Sequence, residues 1–179
     1  SNVVIFGFGI AYYKKKIPSF MHDAIEKIRT FEISKRVAVI SLAIILSIYI
    51  GLSTPELFLD EAKEWSDYNA VLLPGLELWP FGESDNIYIQ EQNDRYVRMF
   101  LLDVSLDILQ NIKVLPFVAS ILVVVFTYLV AVQLSQKRFA GIISVIVLLQ
   151  SYTFLKFDTI AVYENFWVLF FLISLYVIE

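Results

Sequence analysis

The chain consists of four apolar runs separated by polar segments, and this pattern predicts how its helices are organised. The runs cover residues 37–52, 114–134, 139–155 and 165–179. A helix that crosses a membrane needs about 20 mostly apolar residues, and fewer when flanking side chains reach the interface. We therefore predict an all-α polytopic helix bundle with three complete spans and a shorter fourth one. Because the fourth run is short and residues 1–13 resemble the end of a truncated span, we expect a fragment of a longer protein that is not active by itself.

Two long polar segments, residues 1–36 and 53–113, precede and follow the first span. Within the first, apolar positions recur at helical spacing over 17–35, which is typical of a helix lying along a membrane surface or of a plain connecting helix. The second is long for a loop and carries aromatic residues throughout, so we expect it to be folded. It predicts helices over 56–72 and 96–112, with chain breaks at 74–75 and 80–82.

Composition and charge support a membrane protein and give it an orientation. The chain is 58% hydrophobic with a mean hydropathy of +0.69, well above a typical soluble domain. Residues 1–36 hold seven Lys/Arg against three Asp/Glu, whereas residues 53–111 hold three against twelve. Since basic flanks stay cytoplasmic, the acidic loop faces outward, and the basic turn at 136–138 agrees. We expect an integral protein of the plasma membrane or endoplasmic reticulum, with this loop on the non-cytoplasmic side.

Several classes of chemistry lack the residues they need. The chain has no cysteine and one histidine, His22, so thiolate chemistry and a His-based zinc site are both disfavoured. Neither a Walker loop nor a dinucleotide-binding glycine pattern occurs. Nothing in the charge pattern favours nucleic acid as a partner, and membrane lipids are the expected surroundings.

An acidic pair just beyond the first span begins a pattern that continues through the chain. A basic turn with small residues precedes the third span, and a polar passage ending in an acid precedes the fourth. The elements are Asp60-Glu61, Lys137-Arg138-Phe139-Ala140-Gly141, and the passage from Ser151-Tyr152 to Ala161-Val162-Tyr163-Glu164. From residue 35 onward the chain resembles the N-terminal part of GT-C fold glycosyltransferases. It looks most like dolichyl-phosphate-mannose protein mannosyltransferases and aminoarabinose transferases, and more distantly like oligosaccharyltransferase catalytic subunits. It has Phe157-Asp158-Thr159 where the mannosyltransferases usually carry Ser-Arg, and it lacks their His-Pro-Pro element.

This resemblance implies an inverting enzyme that moves a sugar from a polyprenyl-phosphate donor to a protein or glycan acceptor on the outer face. Such a transfer needs a base near the acceptor hydroxyl, which the resemblance assigns to Asp60, with Glu61 as a structural or secondary partner. Asp158 and Glu164, at the outer ends of the last two spans, would form a second acidic site. That site would bind a divalent cation, Mg²⁺ or Mn²⁺, as in the oligosaccharyltransferases, or would hold the acceptor without metal, as in the mannosyltransferases.

Three cationic residues on the outer side are candidates for binding the lipid phosphate: Arg95, Arg98 and Lys156. Plainer roles exist for all of them, because the arginines have Asp94 and Asp103 within reach along a helix and Lys156 can extend to the membrane interface. The acids, too, can be ordinary solvated residues at helix ends. The alternative function is a non-catalytic membrane subunit or transporter fragment whose acidic loop binds a partner or cations.

Overall fold

The computed structural model describes residues 13, 18–60, 66–93, 95–161 and 165–178. Within these ranges the chain is helical and contains no strand, so the predicted all-α class is confirmed. The chain divides into two compact units, residues 1–33 and 34–179. The α-helices are α1 Ser19–Thr30, α2 Lys35–Ser53, α3 Leu73–Leu78, α4 Ile87–Asn93, α5 Tyr96–Asp107, α6 Val114–Ser135, α7 Arg138–Leu149, α8 Tyr152–Phe157 and α9 Asn165–Ile178.

In the first unit, α1 lies inside the helix predicted over 17–35. The chain enters it after Pro18, whose carbonyl accepts a hydrogen bond from the Met21 N–H at 3.0 Å. At the other end the Thr30 hydroxyl donates to the Glu26 carbonyl at 2.8 Å. Of the predicted truncated span over 1–13, only Tyr13 is described, so that prediction lies outside the described residues.

Two helices of the second unit, α2 and α6, are long and apolar enough to cross a membrane. The Ser34 hydroxyl caps α2 by accepting from the Val37 N–H at 3.3 Å, and the helix runs into a 3₁₀ turn, Thr54–Phe58. Helix α6 carries Pro116 in its first turn, where the missing N–H has no intrahelical partner to lose, and ends before Gln136 in the left-handed conformation. Most of the side chains of both helices are not buried within the protein, unlike those of a soluble core helix.

The third apolar run is not one continuous helix, and the single span expected over 139–155 stays a prediction. Helix α7 ends at Leu149, and α8 begins after Ser151, whose hydroxyl accepts from the Phe154 N–H at 3.3 Å. The Gln150-Ser151 pair interrupts the run because a serine side chain satisfies the exposed N–H groups of a new helix start.

The segment after α2 folds into short helices rather than the two long ones predicted. A π-helical turn, Tyr68–Leu72, leads directly into α3, so the break predicted at 74–75 is wrong. Pro74 lies in the first turn of α3, where a proline needs no N–H. The break predicted at 80–82 is observed as a turn over 79–81. Helix α5 ends at Asp107, short of the predicted 112, and the chain then turns through Gln110 with φ 55°.

Helix α6 is the centre of the second unit and packs against α7 and α9, while α2 packs against α7. One buried cluster joins the loop helices to α6 and α9; its members include Leu72, Leu76, Met99, Leu102, Val123, Phe166 and Leu169. A second cluster joins α2, α6 and α7 through Tyr49, Phe117, Val124 and Val145. The short helices after α2 are therefore anchored on the bundle, as the aromatic content of this segment predicted.

Candidate functional site

A buried carboxyl group ties three helices together at one end of the bundle. Asp158 lies in the connector after α8, and its side chain is 0% exposed. The hydroxyl of Ser53, at the end of α2, donates to its Oδ2 at 2.9 Å. The hydroxyl of Ser120 on α6 donates to the Asp158 carbonyl at 2.7 Å, and Nδ2 of Asn165 on α9 donates to the Phe157 carbonyl at 2.9 Å. Side chains of α2, α6 and α9 thus hold the connector, the first through the Asp158 carboxyl group and the other two through backbone carbonyls.

Burial sets the electrostatics of this carboxyl. Removal from solvent raises the pKa of Asp158 above its ordinary value, and the neighbouring hydroxyls of Tyr49 and Ser53 offset part of that increase. The Tyr49 hydroxyl lies beside the same carboxyl without hydrogen-bonding geometry, and neither it nor Asp158 Oδ1 has a hydrogen-bond partner among the described residues. The group is built to hold a proton more readily than an exposed aspartate.

Next to this connector lies a cleft with two lobes that share Glu56 and Leu155; we call it the Glu56 cleft. The apolar lobe has a volume of about 310 Å³ and is lined by Ile45, Ile48, Leu52, Leu149 and Leu155 together with Tyr49, Ser53 and Glu56. The other lobe, which we call the polar lobe because it contains two lysines and a carboxylate, has a volume of about 350 Å³. It is lined by Glu56, Lys113, Tyr152, Lys156 and Thr159 together with Leu59, Leu155 and Ile160. The cleft therefore joins a hydrocarbon-like surface to a pair of lysines and a carboxylate.

Glu56 is held at this junction by the segment preceding α6 and by the Asp158 connector. It lies on the 3₁₀ turn that extends α2, where Lys113 Nζ donates to its carbonyl at 3.2 Å. The Asn111 amide donates to the next carbonyl, that of Leu57, at 2.9 Å. The Thr159 hydroxyl donates to Glu56 Oε2 at 3.4 Å. Although Glu56 belongs to the first loop, its position thus depends on Asn111, Lys113 and Thr159, which lie between 55 and 103 positions further along the chain.

The two lysines of the polar lobe differ in their surroundings. Lys113 is only 4% exposed and is buried against the 3₁₀ turn. Lys156, on α8, is exposed, and its Nζ lies 5.9 Å from the ring centroid of Tyr152 and 5.6 Å from that of Phe157. Both rings lie within cation–π distance of the Lys156 ammonium, and Lys156 also lines the polar lobe.

Sequence reasoning placed the catalytic base at Asp60, and the structure puts that residue in a different environment from Glu56. Asp60 is exposed, follows the 3₁₀ turn, and is not among the residues that line either lobe. Its predicted partners Glu61 and Glu164 lie outside the described residues. Asp158 is close to the cleft through Ser53 and Thr159 but is itself buried beneath it. The catalytic role of Asp60 stays a prediction.

Of the three predicted phosphate ligands, only Lys156 lines the cleft. Arg98 is 3% exposed, donates to the Ala161 carbonyl at 3.0 Å and to the Gln92 side chain, and so joins α5 to the far end of the Asp158 connector. It lines a separate cavity of about 260 Å³ among the loop helices. Arg95 lies just before α5 and lines none of the three cavities described.

The described residues contain no group of three or more His, Asp or Glu side chains that could hold a metal ion. The carboxylates closest to the cleft, Glu56 and Asp158, have hydroxyl partners instead. The predicted choice between a divalent cation and metal-free binding still includes Glu61 and Glu164, so it stays open.

Two members of the cleft, Glu56 and Lys113, were missed from the sequence. Glu56 sits one helical turn before Asp60, and the resemblance assigned the catalytic role to the acidic pair at 60–61 instead. Lys113 directly precedes the apolar run of α6 and looks like an ordinary flanking lysine. Both residues could have been selected by their distance from the spans, because each lies within four residues of a predicted span end on the outer side.

Comparison with known proteins adds no identification. The chain matches no protein-family model, no curated protein and no solved structure. The functional argument therefore rests on the helices and on the chemistry of the Glu56 cleft.

Proposed function

We propose that this chain is part of a membrane glycosyltransferase of the GT-C type. The enzyme transfers a sugar from a polyprenyl-phosphate donor to a protein or glycan acceptor at the outer face of the membrane, with inversion of the anomeric centre. The observation that carries the proposal is the Glu56 cleft, which joins an apolar lobe to a polar lobe containing Lys113 and Lys156.

The cleft matches the two parts of a lipid-linked donor. The apolar lobe is walled by isoleucine and leucine side chains of α2, α7 and α8, so it suits the first isoprene units of the lipid. The polar lobe offers two ammonium groups to a phosphate, which is a charge-assisted interaction. Because the phosphate links the tail to the sugar, a tail in the apolar lobe places both the phosphate and the sugar in the polar lobe, which Glu56 also lines.

The position of the cleft supports a membrane substrate. Its apolar wall includes Ile45, Ile48 and Leu52 of α2, one of the two helices long enough to cross a membrane. Other faces of α2 also expose large apolar side chains, including Val39, Ile40 and Ile44, which is the surface that lipid would cover. A donor held by its tail in the bilayer therefore reaches the cleft without crossing water.

The chemistry needs little more than what the cleft provides. A polyprenyl phosphate is a good leaving group once its charge is stabilised, which the lysines of the polar lobe do. A carboxylate on the first loop accepts the proton of the acceptor hydroxyl. The resemblance to GT-C enzymes assigns that task to Asp60, and Asp158 would hold the connector that lines the cleft.

Donor binding by Lys156 is the first test. The chain, reconstituted in phosphatidylcholine vesicles, is incubated with a photoreactive polyprenyl phosphate, and cross-linking is measured against competing polyprenyl phosphate or unphosphorylated polyprenol. We expect Lys156→Gln to weaken binding about tenfold, since one charge-assisted contact is worth roughly 1.5 kcal/mol. Lys35→Gln, which removes an exposed lysine at the start of α2, is the matched control and should bind as the wild type does.

Transfer is then assayed with the full-length protein in vesicles of the same composition, a radiolabelled polyprenyl-phosphate sugar and peptide or glycan acceptors, in Mg²⁺, Mn²⁺ or EDTA. Donor binding together with product formation supports the enzyme. Equal affinity for polyprenol and its phosphate, or an identical loss in both lysine variants, would refute the donor site. Binding without transfer to any acceptor class would favour the non-catalytic subunit instead.

A further inference from the structure

We infer that Lys113 couples the donor phosphate to the first loop: its ammonium binds the phosphate and, at the same time, the turn that leads to Asp60. This inference rests on the proposed function, because it assigns a task within the same cleft. It goes further by making Lys113 a positioning residue and not only one of two phosphate ligands.

The surroundings of the Lys113 ammonium provide the first argument. The residue is 4% exposed, yet it lines the polar lobe of the Glu56 cleft. Its Nζ makes one hydrogen bond in the described structure, to the uncharged Glu56 carbonyl at 3.2 Å, and no ion pair there. An ammonium has three N–H donors, and a charge removed from water is costly unless it is paired. A phosphate in the lobe supplies that counter-charge, and burial screens the pair less than solvent screens the exposed Lys156.

The N-terminus of α6, which begins at Lys113, does not offer donors of its own to an anion. Lys113 is the N-cap residue, and its backbone N–H donates to Asn111 Oδ1 at 2.9 Å. The next two N–H groups donate to the Asn111 carbonyl at 3.2 Å and to Ser105 Oγ at 3.1 Å, and Pro116 has none. Within the described structure the side-chain ammonium is therefore the donor that this end of the helix presents to a phosphate.

The second argument is the turn that Lys113 holds. The ammonium and the Asn111 amide bind consecutive carbonyls of the 3₁₀ turn after α2, those of Glu56 and Leu57. The turn ends two residues before Asp60, so its position determines where the first-loop acid lies. Because one ammonium binds both the turn and the phosphate, each restrains the other, and the coupling must act in both directions.

Amide hydrogen exchange of the turn tests this coupling without relying on transfer. The chain is reconstituted in phosphatidylcholine vesicles, and exchange in residues 54–58 is compared with polyprenyl phosphate, polyprenol or inorganic phosphate. We expect polyprenyl phosphate to slow this exchange at least threefold in the wild type and polyprenol to leave it unchanged. Lys113→Gln should abolish the slowing, and Lys113→Arg, which keeps the charge, should retain part of it. Equal slowing by inorganic phosphate would overturn the coupling to a lipid donor.

Asn111→Ala separates the structural contact from the charge, because it removes the neighbouring hydrogen bond to the turn and no cation. It should speed exchange in 54–58 with and without donor, yet keep the preference for polyprenyl phosphate over polyprenol in cross-linking. Lys113→Gln should reduce that preference about 10- to 100-fold, as expected for the loss of a hydrogen bond from a charged group. The exposed-lysine control Lys35→Gln should change neither measurement.

Kinetics of the full-length protein complete the test. Lys113→Gln should lower kcat as well as donor affinity, because the turn before Asp60 is no longer held, and Lys113→Arg should recover part of both. Melting temperatures show whether each variant folds; if Lys113→Gln does not, the wild-type exchange and Lys113→Arg decide. Absence of phosphate-dependent slowing in the wild type, or a Lys113→Gln variant that keeps its phosphate preference as Asn111→Ala does, would overturn the inference and leave the proposed function intact. A wild-type chain with no preference for polyprenyl phosphate would overturn both.

Discussion

The hydrogen bond between Ser53 and the buried Asp158 should make the stability of this chain depend on pH in a defined direction. Replacing Ser53 by Ala removes the hydroxyl that lies 2.9 Å from Oδ2 and leaves the carboxyl buried. A hydrogen bond to a charged group contributes about 1.5–3 kcal/mol to stability and one to a neutral group about 0.5–1.5 kcal/mol. The loss should therefore be larger where Asp158 is ionised than where it is protonated.

The sign follows from proton binding in the two states. Burial raises the pKa of Asp158 in the folded protein above its ordinary value of 3.8, so the folded state holds this proton more tightly than the unfolded chain does. The contribution of this group to stability is complete below pH 3.8 and is lost as the pH rises through the folded pKa. Each tenfold difference in proton affinity corresponds to about 1.4 kcal/mol. Asp158→Asn, which does not titrate, should gain stability relative to the wild type between pH 3 and pH 8.

Both variants are measured by denaturant unfolding in detergent micelles, followed by tryptophan fluorescence at pH 3 and pH 8. Ser47→Ala is the matched serine control, since that hydroxyl bonds only to the Ala43 carbonyl of its own helix, and Asp85→Asn is the exposed aspartate control. The controls should behave alike at both pH values. A Ser53→Ala loss that is equal at the two pH values, together with a pH-independent Asp158→Asn difference, would refute the raised pKa.

Two further predictions concern packing and the attachment of the loop. An Ala Cβ at Gly141 would lie 2.6 Å from Val132 Cγ2 on the facing helix, so Gly141→Ala should lower the free energy of unfolding by about 1–3 kcal/mol. Gly51→Ala is its control, because nothing lies within 4 Å of that Cβ, and it should be neutral or stabilising by about 0.5–1 kcal/mol; equal effects in the two would contradict the close approach of α6 and α7. Arg98→Gln removes a buried hydrogen bond to the Ala161 carbonyl and should cost about 1–3 kcal/mol, with faster amide hydrogen exchange in 87–93 and 158–161. Unchanged exchange in both segments would show that Arg98 does not join them.

The long helices were predictable because their signals are local. An apolar run bounded by charges predicts α2 and α6 to within two residues, since the side chains that face the bundle and those on the opposite side of each helix are both largely apolar. The division of the third run was harder to read. Gln150 and Ser151 are two polar residues in an apolar stretch, and only the folded chain shows that the serine caps a new helix. Pro74 was expected to interrupt a helix. Instead the π-helical turn ahead of it leads directly into α3.

The candidate site was less predictable because its residues come from distant positions. The acidic character of the first loop and the positions of Asp158 and Lys156 just beyond an apolar run could be read from the sequence. That Glu56 meets Lys113 and Thr159 could not, since it depends on how the segment before α6 folds back onto the turn after α2. A charge pattern predicts which loops carry a site, whereas selecting one carboxylate among neighbours requires tertiary contacts.

The short length of α7 bears on how deep the Glu56 cleft would lie in a bilayer. A helix of 12 residues is about 18 Å long, whereas the 22 residues of α6 extend about 33 Å, close to the full hydrocarbon thickness. If α6 crosses the bilayer and α7 starts from the same cytoplasmic turn, α7 stops well below the outer headgroups. Leu149, its last residue, lines the Glu56 cleft, so the cleft would open sideways into the acyl chains rather than upward into water. The donor would then meet its site by lateral diffusion within the leaflet, and the acceptor would have to descend to it.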